Sequence, residues 1–202
     1  MDDQLSYSHR RADAIVDFLE CCIHCILQTR EVYPASIFER RKKYGAKVWM
    51  SRSPDLNDYV SQVMKNTHPL IIKGYIKEIA VCFVQKGGRV VERVVFQLQM
   101  EMDQGDTEES EQMLKEQLMA AVVKLQTLSF PSRKGCTFNV VVRTTEISEC
   151  RSDKWMAADK SSCEVFVGTE AGPRETLLQV NPIKQVQGAG LAIKLNTETC
   201  KS

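Results

Sequence analysis

The 202-residue chain has no apolar run long enough for a membrane span or a secretory leader, and its opening Met1-Asp2-Asp3-Gln4 is acidic, so an intracellular protein is expected. It also lacks an excess of either charge. Its 27 basic and 26 acidic side chains leave a net charge of +1, so nothing global draws it to DNA, a membrane or an acidic substrate. Histidine is scarce, at three residues, and His9, His24 and His68 stand beside no serine, cysteine or carboxylate in a recognisable catalytic arrangement. A phosphate-cradling Gly-Lys-Ser/Thr loop and a nucleophile elbow are both missing. The chain therefore reads as a non-enzyme with no cofactor. Its eight cysteines are an even number, but in a chain this long and without a secretory leader they are expected to stay thiols.

What is present is enough apolar residue for a globular core, 43% hydrophobic against 26% charged. Over residues 12–27, Ala12, Ile15, Val16, Leu19, Cys22, Ile23, Ile26 and Leu27 recur at three and four, with Asp13, Asp17, Glu20, His24 and Gln28 on the other face. This predicts a long amphipathic helix, stopped by Pro34. Ser53-Pro54 offers an N-cap and first-turn proline for a second helix carrying Leu56, Tyr59, Val60, Val63 and Met64, which Pro69 is expected to end or bend.

Residues 75–84 and 90–100 are rich in β-branched and aromatic side chains and flank Gly87-Gly88, which predicts an antiparallel hairpin. The acidic stretch 101–111 reads as a solvated loop that sets negative charge at the positive end of a third helix, with Leu114, Leu118, Ala121, Val122, Leu125 and Leu128. Gly135 introduces another strand with Phe138, Val140 and Val142 on one face. Beyond Arg143 the periodicity fades, leaving short strand candidates at 163–167, 177–180 and 191–195 and an isolated Trp155. The order of elements describes an α+β domain with helices packed on an antiparallel sheet.

Two clusters invite chemical readings. Cys21 and Cys25 lie one helical turn apart and could ligate zinc, but a closed site needs four ligands and no second pair has suitable spacing. Packing or ordinary surface cysteine is the preferred reading. Arg40, Arg41, Lys42 and Lys43 form a basic run, extended by Lys47, that reads as a nuclear import signal, a phosphate-contacting patch or a solvated connection.

Residues 30–44, Arg-Glu-Val-Tyr-Pro-Ala-Ser-Ile-Phe-Glu-Arg-Arg-Lys-Lys-Tyr, join the first helix to this basic run through an aromatic-proline stop. This stretch resembles the HORMA domain family, and within it the branch of accessory subunits of the translesion DNA polymerase zeta. The resemblance runs to about Val142, with weaker returns at residues 155–159 and 182–184. It implies one HORMA domain over residues 1–202: three main helices on an antiparallel sheet, with a core of 1–149 and a mobile safety belt of 150–202 that closes over a bound peptide. It implies a non-catalytic adaptor in translesion synthesis that encloses a proline-containing peptide of the polymerase zeta catalytic subunit and links it to the Y-family scaffold polymerase in the nucleus. A HORMA-remodelling ATPase is a further implied partner.

By the same resemblance Tyr59 and Trp155 are the peptide-binding residues, an aromatic clamp whose flat faces suit proline rings. Ala120 stands where relatives carry a dimerising arginine, which implies weak or no homodimer. Val180, Lys194 and Asn196 replace the leucine, glutamine and tyrosine expected at the scaffold-polymerase contact. Ordering about fifty tail residues costs tens of kcal/mol, against about 8–12 kcal/mol from peptide binding. The tail must therefore pack on the core in its own right. The rivals are a spindle-checkpoint or meiotic-axis HORMA adaptor and, in another class, a basic nucleic-acid-binding module.

Overall fold

The computed structural model of the chain describes residues 2–43, 45–100, 108–145, 178–188 and 190–200. Helix α1 (Asp2–Thr29) fully buries Ile15, Leu19, Ile23 and Ile26 along the stripe that its sequence lays down. It begins well before Ala12, because buried Tyr7 extends the apolar face and the Arg10 and Arg11 guanidinium groups approach its ring at 5.9 and 5.6 Å. It also ends before Pro34. Glu31 takes φ 54, and Val32 N–H reaches back to the Leu27 carbonyl at 3.2 Å, so a left-handed residue closes the helix and Pro34 merely heads a 3-10 turn, Ala35–Ile37.

Residues 38–51, which carry no strand signal in the sequence, form a two-stranded sheet of β1 (Phe38–Lys43) and β2 (Ala46–Ser51). Val48 and Met50 fix its inward face, and Phe38, on the opposite face at the end of β1, is buried as well. Helix α2 (Pro54–Ile72) contains Pro69 rather than ending at it. The proline lacks a donor, but its carbonyl accepts from Lys73 N–H at 3.2 Å, so the last turn still closes.

The main sheet has the order β5-β3-β4-β7-β6 and is antiparallel throughout. Strands β3 (Ile76–Val84) and β4 (Val90–Met100) form the expected hairpin, with Gly87 at φ 102 and Gly88 at φ 86 in the turn. Ile79, Val81, Phe83, Val94 and Phe96 belong to the helix-packed core, whereas Ala80, Cys82 and Val95 cluster on the opposite face. Helix α3 (Glu108–Thr127) adds Leu114, Leu118, Val122 and Leu125 to that core, and β5 (Thr137–Thr144) flanks β3. The acidic residues 108–111 thus belong to the helix itself, and Leu128 falls just beyond it. The expected short strands near the C-terminus are longer, β6 (Leu178–Gly188) and β7 (Leu191–Cys200), and β7 pairs with β4 from Met100↔Leu191 to Glu92↔Thr199. The candidate strand at 163–167 lies outside the described residues, within which no helix is long and apolar enough to cross a membrane.

A buried charge cluster ties these layers together. The Glu92 carboxylate on β4 accepts from Arg30 Nε at 2.9 Å and Nη2 at 2.5 Å, and from Arg133 Nε at 2.7 Å. Arg30 and Glu92 are 0% and 1% exposed, and the Arg30 guanidinium lies 3.5 Å from the Phe130 ring centroid. On the other face of the sheet Arg93 pairs with Glu78 and with Glu198 of β7, the latter at 2.9 Å.

Glu92→Gln leaves Arg30 charged, buried and without its counter-ion, so urea unfolding should show a loss of about 3–5 kcal/mol. His24, placed on the polar face by the sequence pattern, is fully buried, neither ring nitrogen has a hydrogen-bond partner among the described residues, and burial first, then the Arg41 charge, push its imidazole down to about 4. The unfolded chain therefore takes up this proton first as pH falls. The contribution is complete above about pH 6.5 and is lost towards pH 4, on the order of 3 kcal/mol in all. The slope of unfolding free energy against pH over that window should flatten in His24→Leu.

Candidate functional site

Along the outer side of β5, backbone groups and aromatic side chains meet in a concavity. Strand β5 pairs with β3 on one side, and among the described residues no strand pairs with the other. Val140 N–H faces that open side, since it donates to the Tyr59 phenolic oxygen at 3.4 Å rather than to β3. The strand's alternation then turns the amides and carbonyls of Phe138 and Val142 the same way. An outward row of backbone donors and acceptors that no strand pairs with among the described residues is a template for an added strand.

Helix α2 supplies the adjoining wall. Leu56, Val60 and Met64 are its inward side and are buried, which leaves Tyr59 at the edge of the stripe and 41% exposed. The start of the helix is anchored without a side-chain cap from Ser53. Instead Ser53 N–H donates to Ser51 Oγ at 2.9 Å, and Asn57 Nδ2 donates to the Ser51 carbonyl at 3.2 Å. These bonds fix where Tyr59 stands relative to β5.

Phe138 links the two walls. Its ring meets Tyr59 edge-on at 5.5 Å and 89°, and Tyr33 edge-on at 6.2 Å and 83°. The three aromatics, with Ser53, Asp55, Leu56 and Asn139, line an open pocket of about 370 Å³. Burial, and then the neighbouring Tyr59, push the Tyr33 phenol above its ordinary value. The lining offers flat apolar faces and hydrogen-bonding edges, and the arrangement suits gripping an extended chain.

Of the residues singled out in the sequence, Tyr59 lies in this pocket and Trp155 lies outside the described residues. Tyr33 and Phe138 were not anticipated as lining. The available signals were the Tyr-Pro pair at 33–34 and the placement of Phe138 on a strand face. The basic run is separate from the pocket and is split by its strand: Arg40 and Lys42 lie on one face of β1, Arg41 and Lys43 on the other. Cys21, Cys22 and Cys25 are all buried. Burial pushes the Cys21 thiol up to about 11 and the Cys25 thiol up to about 12, and Cys25 Sγ–H donates to the Trp49 carbonyl at 3.7 Å. Protonated thiols packed in this way behave as small apolar core residues. Among the described residues no three His, Cys, Asp or Glu side chains group as a metal site.

A fold of three helices on an antiparallel sheet, with one edge strand facing a pocket, defines an α+β domain. Residues 12–154 match the HORMA domain, and the chain belongs to that family. It is 33% identical over 168 residues to the mitotic spindle assembly checkpoint protein MAD2B of Homo sapiens, covering 77% of this chain and 80% of that protein. It is 26% identical over 187 residues to the DNA polymerase zeta processivity subunit of Arabidopsis thaliana, covering 91% and 83%. Among solved structures, a chain of the mitotic checkpoint complex superposes with a TM-score of 0.74 at 19% identity over 95% of this chain and 99% of that one. C. elegans HTP-2 bound to HTP-3 closure motif 1 superposes at 0.69 and 11% identity over 95% and 87%.

Removing the shared ring in Phe138→Ala should cost about 1–2 kcal/mol in urea unfolding. It should also reduce the near-ultraviolet circular dichroism of the tyrosines, because both edge-on contacts are lost. An unchanged tyrosine signal would show that Phe138 does not order this cluster.

Proposed function

We propose that the chain is a HORMA adaptor subunit of DNA polymerase zeta, acting in translesion synthesis and DNA damage tolerance in the nucleus. It holds a proline-containing peptide of the catalytic subunit as an added strand along β5, with Tyr59 and Trp155 as the aromatic clamp and residues 150–202 closing over it. The observation that carries this reading is the open edge of β5, with the Val140 amide already turned towards the Tyr59 phenol. The relatives support the adaptor role, and the polymerase zeta name of the plant relative supports the client. In the C. elegans structure a HORMA-fold protein holds a motif from another protein.

Strands β6 and β7 contribute the exposed side chain of Val180 and the exposed Lys194, and this hairpin is the surface proposed to meet the Y-family scaffold polymerase. A spindle-checkpoint adaptor is the second reading, favoured by the name of the human relative and by the likeness to a mitotic checkpoint complex chain. Residues 30–44 favour the polymerase subunit.

Tyr59→Ala and Trp155→Ala should each weaken binding of a synthetic peptide carrying the proline-containing motif of the catalytic subunit by about 2 kcal/mol in calorimetry. The double variant should lose less than the sum, because both rings grip the same segment. Deleting residues 150–202 is a poor control, since it also strips Leu191, Ile193 and Leu195 from the core. Unchanged affinity in both single variants, with native circular dichroism, would refute the clamp. Tighter capture of a checkpoint client peptide than of the polymerase peptide would favour the second reading.

A further inference from the structure

We propose that the outward face of the β1–β2 hairpin is a phosphate-contacting surface for nucleic acid, formed by Arg40, Lys42 and Lys47 beside Trp49. The register pairs Arg40 with Trp49 and Lys42 with Lys47, so these four side chains share one face. The opposite face is the buried one, carried by Val48 and Met50.

The charges on the two faces are handled differently. On the inner face Arg41 is paired with Glu39 at 2.6 Å, and Lys43 lies near Glu20. On the outer face Lys42 and Lys47 stand directly opposite one another, both exposed, and among the described residues neither has an acidic partner. Like charges directly opposite across a strand pair destabilise it. An isolated domain gains nothing from that juxtaposition, whereas a polyanion laid across both strands relieves it.

Arg40 completes the surface. Its guanidinium stacks 4.1 Å from the Trp49 ring centroid and donates to Gln126 Oε1 at 2.7 Å and to the Lys47 carbonyl at 3.2 Å, which holds it over the hairpin. Alternate residues of a strand are about 6.8 Å apart, close to the through-space separation of successive phosphates on one nucleic-acid strand. Arg40 and Lys42 are therefore spaced to meet neighbouring phosphates. A two-stranded ribbon is also narrow enough for the major groove. That regular spacing of cations favours a nucleic-acid backbone over an acidic peptide. The near-neutral net charge makes such binding local, weak and dependent on salt.

The experiment is fluorescence anisotropy of the full chain with labelled 20-mer duplex, the same 20-mer as a single strand, and polyglutamate, at 50–200 mM salt. Three phosphate contacts give a slope of log K against log salt of about −2.7 on duplex, or about a 40-fold loss over that range. Lys42→Ala with Lys47→Ala should bring the slope towards −0.9, while Arg41→Ala should leave it unchanged. Lys47→Glu should weaken binding and at the same time raise the thermal midpoint of the free protein, since it converts a repulsive pair into an attractive one. That opposite movement separates a surface for ligand from a merely misfolded variant. No binding to either 20-mer at 50 mM salt, an unaltered slope in the double lysine variant, or tighter binding to polyglutamate than to both nucleic acids would each overturn the proposal.

Discussion

The Glu92 carboxylate, closed on both sides by arginine, is the constraint on which the rest of this structure depends. One oxygen takes Arg30 at the end of α1 and the other takes Arg133 in the segment leading to β5, while the acid itself rides on the central strand β4. Arg133 N–H also donates to the Arg30 carbonyl at 2.6 Å. A helix end, the middle of the sheet and the approach to its outer strand are thereby fixed to one another. Such a cluster gains little over a well-packed apolar substitute, but it tolerates the loss of no single member, and so it specifies an arrangement more than it strengthens one. Here it specifies where β5 begins and hence which backbone groups line the pocket.

The second theme is that the main sheet treats its sides unequally. On one face large apolar residues meet three helices. On the other, small residues lie beside an Arg93 bridge that reaches Glu78 on β3 and Glu198 on β7. The central strand β4 is paired on both sides, by β3 and β7, whereas β5 and β6 end the sheet and β5 turns its outer side towards Tyr59 of α2. The proposed capture of a peptide follows from that edge and the pocket beside it rather than from any reactive group.

The parts legible in the sequence were those where burial is one-sided and regular. Helical spacing of three and four located α1, α2 and α3, and alternation with a Gly-Gly turn located β3 and β4. The hairpin of β1 and β2 was hidden because Arg40-Arg41-Lys42-Lys43 carries no apolar alternation; its burial comes from Val48 and Met50 on the facing strand. His24 was misread because the helix is covered on nearly every side, so a polar residue on its weaker face still finds no water. Pro69, expected to end or bend α2, lies inside it, because the loss of one donor near a helix end is readily tolerated. At the site, Tyr59 was marked by family likeness and the strand of Phe138 by periodicity. Their meeting depends on the packing of α2 beside the edge of the sheet, which no local pattern encodes.

The pairing of β7 with β4 also has a kinetic side. Arg93 and Glu198 meet across 105 positions of chain, so this contact closes a long loop, and its entropy must be overcome before any ladder bond rewards it. The β3–β4 hairpin and the helices form from near neighbours and precede it. Until β7 arrives, β4 offers an uncovered edge beside Val94 and Phe96. A chain in which β7 has not yet docked therefore leaves β4 open to pairing with another copy of itself.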